Sequence, residues 1–284
     1  RHDGGWEYDG RNPQGGVTIY NTQNVELQNV LLLDNDLELP GWEAALYIVK
    51  NTGKGTLERH TGTRVRGSAI LNTRRRAIGI EGWGRVEDVV FEDLLIWKAG
   101  HGLSLNNEAH EAKVINATFG MIQGPAVAIW GRHPSRLEVG RSLIHDAERA
   151  FQADAGNIDG EFNACSQTKK CSRPQAISVD ALASGLMYPP RLEPGSRLRT
   201  AGPGGTPIGA NIENKIGIQG SMFGDIGFVA KTSESLWPWP FETRLKADLC
   251  EDPPARGLCA NRSTLSEYVW GQLGKQPKFA SGGS

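Results

Sequence analysis

Arg76-Ala77-Ile78-Gly79-Ile80-Glu81 returns three times down the chain with its pattern intact. It recurs as His101-Gly102-Leu103-Ser104-Leu105-Asn106, as Pro125-Ala126-Val127-Ala128-Ile129-Trp130, and as Arg149-Ala150-Phe151-Gln152-Ala153-Asp154. The anchors Ile78, Leu103, Val127 and Phe151 are 25, 24 and 24 residues apart. Ala44 to Val49 is an earlier copy, and Ala176 to Asp180 a fainter later one. Within each copy apolar and variable positions alternate, the period of a strand with one buried face.

A second alternating segment precedes each copy, at Val86 to Phe91, Lys113 to Phe119 and Leu137 to Leu143, with Gly, Asn, Asp and Pro between. Three short strands per turn at a near-constant period predict an all-β fold: a right-handed, single-stranded parallel β-helix. One coil cannot bury its own apolar face, and stacking supplies the core. A leucine-rich repeat would need a Leu/Asn consensus that is absent, a propeller a longer period, and helical repeats a period of 3.6.

The coils are expected over residues 1–232, with a long Pro-, Gly- and Arg-rich excursion about 181–210. A last coil is expected from Asn211 to Lys231, with Ile226 to Val229 as its strand. Residues 233–280 change character at Leu236-Trp237-Pro238-Trp239-Pro240. Helical spacing follows at Glu242 to Leu249 and Thr264 to Leu273. This part is expected to pack over the final coil as a cap, because an open coil leaves unpaired strand edges. Residues 281–284 read as a flexible tail.

The 31 basic and 32 acidic residues leave a net charge of −1, so charge gives no reason to expect nucleic acid or an anionic membrane as partner. No apolar run reaches the ~18 residues that span a bilayer. Cys165, Cys171, Cys250 and Cys259 form two local pairs, read as short-loop disulfides of an oxidising compartment. Zinc is the alternative, although neither pair has the usual close spacing. The chain opens at Arg1 without Met, as a processed or truncated start would. Asn116 and Asn261 head Asn-x-Ser/Thr sequons. Nothing in the sequence speaks to oligomeric state.

The coil strands, with Asn and Gly in the turns from about Val17 to Lys231, resemble the pectate-lyase-like superfamily of right-handed β-helix proteins. The Trp-Pro-Trp-Pro segment with its Cys pair is similar to extensions on secreted bacterial β-helix proteins. The resemblance implies a secreted or cell-surface protein that binds, and often cleaves, a polysaccharide on an outer face of the helix. No catalytic signature selects a subfamily.

Alternation places Ile78, Leu103, Val127 and Phe151 inward, together with Ile80, Leu105, Ile129 and Ala153. Three outward columns follow: Arg76, His101, Pro125, Arg149; then Gly79, Ser104, Ala128, Gln152; then Glu81, Asn106, Trp130, Asp154. Trp83, Glu108 and Arg132 come in the next turn. The small middle column is expected to let a polymer lie close to the sheet. Arginine recognises carboxylates by bidentate bonds and sugars stack on Trp faces. A lyase on an acidic glycan would use His101 as base, with Arg76 and Arg149 stabilising developing charge. Glu81, Asn106, Trp130, Asp154, Glu108 and Arg132 would bind substrate. A glycoside hydrolase on Glu81 and Glu108 is the rival enzyme, and a non-catalytic carbohydrate-binding or structural β-helix the rival outside catalysis. His145-Asp146 resembles a base with its orienting carboxylate, though such neighbours more often serve a turn. No cofactor is required; the acidic cluster Asp34, Asp36, Glu38, Glu43 could take Ca²⁺ oxygens but lacks ordered spacing.

Overall fold

The computed structural model describes residues 15–33, 44–51, 59–171, 176–178, 196–250, 257–260 and 262–273. The chain is a parallel β-helix with three strands per turn. On the first sheet Val17 pairs with Leu46, Leu46 with Ile78, Ile78 with Leu103, Leu103 with Val127 and Val127 with Phe151. On the second, Val25, Val65 and Phe91 belong to successive coils at the register Leu27–Val65–Phe91–Val114–Val139. On the third, Leu32–Ile70–Ile96–Phe119–Ile144–Cys165 run in line. Most of these inward side chains lie in one continuous core, and Ile78, Phe91, Ile96, Leu103, Phe119 and Val127 are fully buried. Each such burial contributes on the order of 2 kcal/mol.

Two corners turn without a loop. At the first, Asn29, Asp93, Asn116 and Arg141 adopt φ of 50–52°, with Gly67 at 54° in the same column. At the second, Asn72, Lys98, Met121, Asp146 and Gln167 have φ between 50° and 60°. One left-handed residue bends the strand while pairing resumes on either side, which is why His60–Gly82 and Val86–Asn106 are each continuous strands. Asn and Asp tolerate this conformation best, yet Met, Arg, Lys and Gln also occupy these corners.

The third sheet is buried on both faces. Its outward residues Ala69, Leu71, Leu95 and Trp97 join a second core with Leu236, Trp237, Leu265, Val269 and Trp270. Its later coils, at Leu143 and Ala164, are covered by Leu198 and Ile208. Between these two contacts the chain runs back along the first corner. Gly209 N–H donates to Arg141 O at 2.8 Å, Ala210 N–H to Thr118 Oγ1 at 2.9 Å, and Asn211 N–H to Asp93 Oδ1 at 3.2 Å. Ile216 then exchanges two bonds with the Asn29 side chain. Residues 209–216 are thus a strap that touches successive coils in reverse order.

Several expectations change here. Ile226–Val229 is a 3₁₀ turn, not a strand; the edge it would supply is formed by Lys231–Ser235, antiparallel to Asn214–Ile216. A small helical unit exists, with α1 at Glu242–Leu249 and α2 at Leu265–Gln272. It packs against the outer face of the third sheet at middle coils, because Leu71, Leu95 and Trp97 offer an apolar surface there; Trp97 Nε1–H donates to Gln272 O at 3.0 Å. Ala153 is exposed and Phe151 half-buried. They lie at the C-terminal end of the strand Leu143–Ala153. Cys165–Cys171 and Cys250–Cys259 are disulfides, which removes the zinc alternative for both pairs. Asn116 is buried at a corner, closed to a glycosyl group. Asp34, Asp36, Glu38, Glu43 and Asn261 lie outside the described residues, as do residues 181–195 of the excursion. Among the described residues no helix is long and apolar enough to cross a membrane.

Candidate functional site

On the first sheet Arg76 is level with His101, and Arg149 with Pro125 on one side and Lys170 on the other. A cleft of about 330 Å³ opens on this sheet, lined by Arg75, Arg76, Gly100, His101 and Trp130. Arg149 does not line the cleft; its Nε is 3.8 Å from Glu148.

Three register shifts lie around His101. Four residues from Thr73 to Arg76 oppose three from Ala99 to His101, six from Ile122 to Val127 oppose five from Ala99 to Leu103, and four from Ile122 to Pro125 oppose three from Ala147 to Arg149. Each is an extra residue in a parallel ladder. Such bulges bend a strand locally and occur beside active sites. Here they set Arg75 and Gly124 on either side of the His101 coil. Gly100 is required, since a Cβ there would lie 2.4 Å from Arg74 O and 2.6 Å from Arg75 O. Neither the bulges nor Arg75 follow from simple alternation, which assumes equal strand lengths.

The middle column is not an open floor. Ser104 and Ala128 are fully buried. Their smallness lets long neighbours fold across them. Arg76 Nη1 bonds Glu81 Oε2 at 2.8 Å, spanning Gly79, and its guanidinium lies 5.8 Å from the Tyr47 ring centroid. Tyr47 itself rests on Gly79, where a Cβ would come within 3.0 Å. Asn106 Nδ2 donates to Ser104 Oγ at 3.2 Å, with Glu81 Oε2 at 3.5 Å. Trp130 tilts towards His101, ring centroids 6.0 Å apart. Over this column a ligand would thus meet the side chains of Arg76, Glu81, Asn106 and Trp130 and not a floor of Ser104 and Ala128.

His101 has the chemistry of an unspent base. No hydrogen bond holds either ring nitrogen among the described residues, and its one ring contact is Trp130. The other perturbed histidines are engaged. His60 lies between Thr22 N–H and Thr63 Oγ1, His110 between Val86 N–H and Asn106 O, and His145 stacks on Trp97 beside Ser166. His145 with Asp146 is accordingly part of a corner. Burial holds the His101 pKa below 6.5, the Arg76 charge pushes the same way, and Glu148 opposes both. These effects favour the neutral imidazole, the form a general base needs.

The remaining candidates disperse. Glu108 faces His133 at 3.9 Å in the following turn. Arg132 and Asp154 are exposed there and at the strand end. Among the described residues no cluster of three or more His, Cys, Asp or Glu side chains could hold a metal ion. The described part of the excursion, from Ser196 to Thr206, ends on the third sheet through Leu198 and does not roof the cleft. No family model, no curated protein and no solved structure matches this chain.

Proposed function

We propose that the His101 cleft binds an acidic polysaccharide and cleaves it by β-elimination, as the resemblance to pectate-lyase-like β-helix proteins suggests. The observation that carries this reading is an imidazole with neither nitrogen hydrogen-bonded among the described residues, in a cleft lined otherwise by Arg75, Arg76, Gly100 and Trp130. In the reaction His101 takes the proton from the carbon next to the uronate carboxylate. That electron pair becomes a new carbon–carbon double bond, the bond to the leaving sugar oxygen breaks, and solvent supplies the proton this oxygen needs. Arg75 and Arg76 offset the negative charge that builds on the carboxylate. The two disulfides support an extracellular setting.

Screening uronic polymers for the ultraviolet absorbance of unsaturated products tests the proposal. Activity that survives His101→Ala unchanged, or no response from any polymer, would sink it. A second reading, binding without cleavage, draws on the engagement of Arg76 by Glu81 and Tyr47. Retention of a glycan with no new absorbance would select it. The hydrolase on Glu81 and Glu108 gains nothing from the geometry, since the first is spanned by Arg76 and the second faces His133.

A further inference from the structure

Trp83 is 70% exposed in the Gly82-Trp83-Gly84 turn that follows Glu81. A single exposed aromatic residue needs no special account. The way this turn is held does. Gly82 has φ 131°, and a Cβ on it would sit 2.0 Å from Lys50 O. Gly84 donates its N–H to the same oxygen at 2.9 Å, and a Cβ on it would press on Lys50 Cγ at 2.7 Å. Lys50 is only 1% exposed and sends its Nζ to Asn51 O at 2.6 Å. A buried lysine and two close-packed glycines therefore fix a turn whose one side chain is an indole turned to solvent.

A rigid aromatic ring on a rigid turn offers contact area at little entropic cost. The next coils place charged groups beside it in the corresponding turns: Glu108 with His133, and the exposed Arg132. Glu81 leads directly into this turn from the cleft side.

We propose that Trp83 is a stacking platform for a sugar ring, with the apolar C–H face of a pyranose on the indole and its hydroxyls towards Glu108 and Arg132. The inference rests on the acidic-glycan reading of the His101 cleft and extends it to the length of the ligand. Trp83 is two coils and two strand positions from the Trp130 register, roughly 12 Å between α-carbons at ordinary sheet spacings. A multi-ring chain spans that distance and a single sugar does not.

The test compares Trp83→Ala and Trp83→Phe with the wild-type chain. Substrates are the uronic polymer that responds and its shortest cleavable fragments. Absorbance reports turnover, and retardation in polymer-containing gels reports binding. With a platform at Trp83, Trp83→Ala raises KM for the polymer, or weakens retention, fivefold to about tenfold. It leaves kcat and the short fragments unchanged, and Trp83→Phe recovers part of the loss. Equal behaviour of Trp83→Ala and wild type on a polymer that binds would overturn the platform and leave the cleft reading standing. A wild-type chain that neither retains nor cleaves any polymer removes both.

Discussion

The Cδ2–Nε2 edge of His101 fills the space that a side chain at Gly124 would need. A Cβ on residue 124 would come within 2.4 Å of Cδ2 and 2.7 Å of Nε2. The glycine therefore lets the ring lie down on the bulged strand, with Nδ1 on the opposite edge. Gly124→Ala must push the imidazole off that seat, since backbone cannot yield as a flexible side chain would. Displacements of this size cost catalysis heavily, so turnover on the responsive polymer is expected to fall about a hundredfold. The melting temperature, read alongside, is expected to move far less than a core cavity would move it. Full activity in Gly124→Ala would show that the ring position does not matter to the reaction.

The acidic limb of activity reports the His101 environment. The folded pKa lies below 6.5 through burial first and Arg76 second, so the base stays neutral, and activity persists, somewhat below pH 6.5. Arg76→Gln removes a repelling cation and is expected to move the limb to higher pH. Glu148→Gln removes an attracting carboxylate and is expected to move it lower. Profiles of kcat/KM against pH separate these shifts from any loss of substrate affinity. Limbs that do not move in opposite directions would remove His101 as the titrating group.

What the sequence disclosed, and what it hid, follows from how each feature is encoded. Ile78, Leu103, Val127 and Phe151 repeat in type and spacing, so the stack and the Arg76–His101 neighbourhood were legible by alternation. The corners were not, because one left-handed residue suffices and Met121, Lys98 or Arg141 carries no compositional mark. Alternation also hides bulges, and so it missed Arg75 and the seat at Gly124. It treated Ser104 and Ala128 as an open floor, since side-chain length alone does not say that Arg76 and Trp130 fold across. The strap was hidden because what it offers the coils is its own backbone N–H groups, which every residue supplies.

Fold stability is expected to be lost with acid through His60. Its ring is fully buried, with Nδ1 accepting from Thr22 N–H at 3.4 Å and Nε2 2.7 Å from Thr63 Oγ1. Burial and the Lys50 charge lower its pKa from 6.5 to about 4. The unfolded chain therefore takes up a proton near pH 6.5 and the folded chain only near pH 4. The stabilisation is present in full above pH 6.5 and fades as pH falls towards 4, a change on the order of 3 kcal/mol. His101, His110 and His145 shift in the same direction and add to it. Urea unfolding at pH 7 and pH 4.5 measures the slope, and His60→Leu should flatten part of it.

The strap depends most visibly on Asn29. Its Nδ2 donates to Ile216 O at 2.8 Å and its Oδ1 accepts Ile216 N–H at 2.9 Å, so a side-chain amide takes the place of a neighbouring strand. Asn29 also holds a corner at φ 51°. Asn29→Gly keeps the corner and loses both bonds, leaving the Ile216 groups to water or unpaired, a cost of about 1–3 kcal/mol. Asn29→Ala loses the bonds and strains the corner as well, adding about 1 kcal/mol. Denaturant unfolding ranks the two variants, and limited proteolysis locates the effect. If the strap clamps the coils through this residue, cleavage in both variants appears first within residues 209–235. A first cut elsewhere, or equal stability of Asn29→Gly and wild type, would mean that Leu198, Ile208 and the second core hold the strap without Asn29.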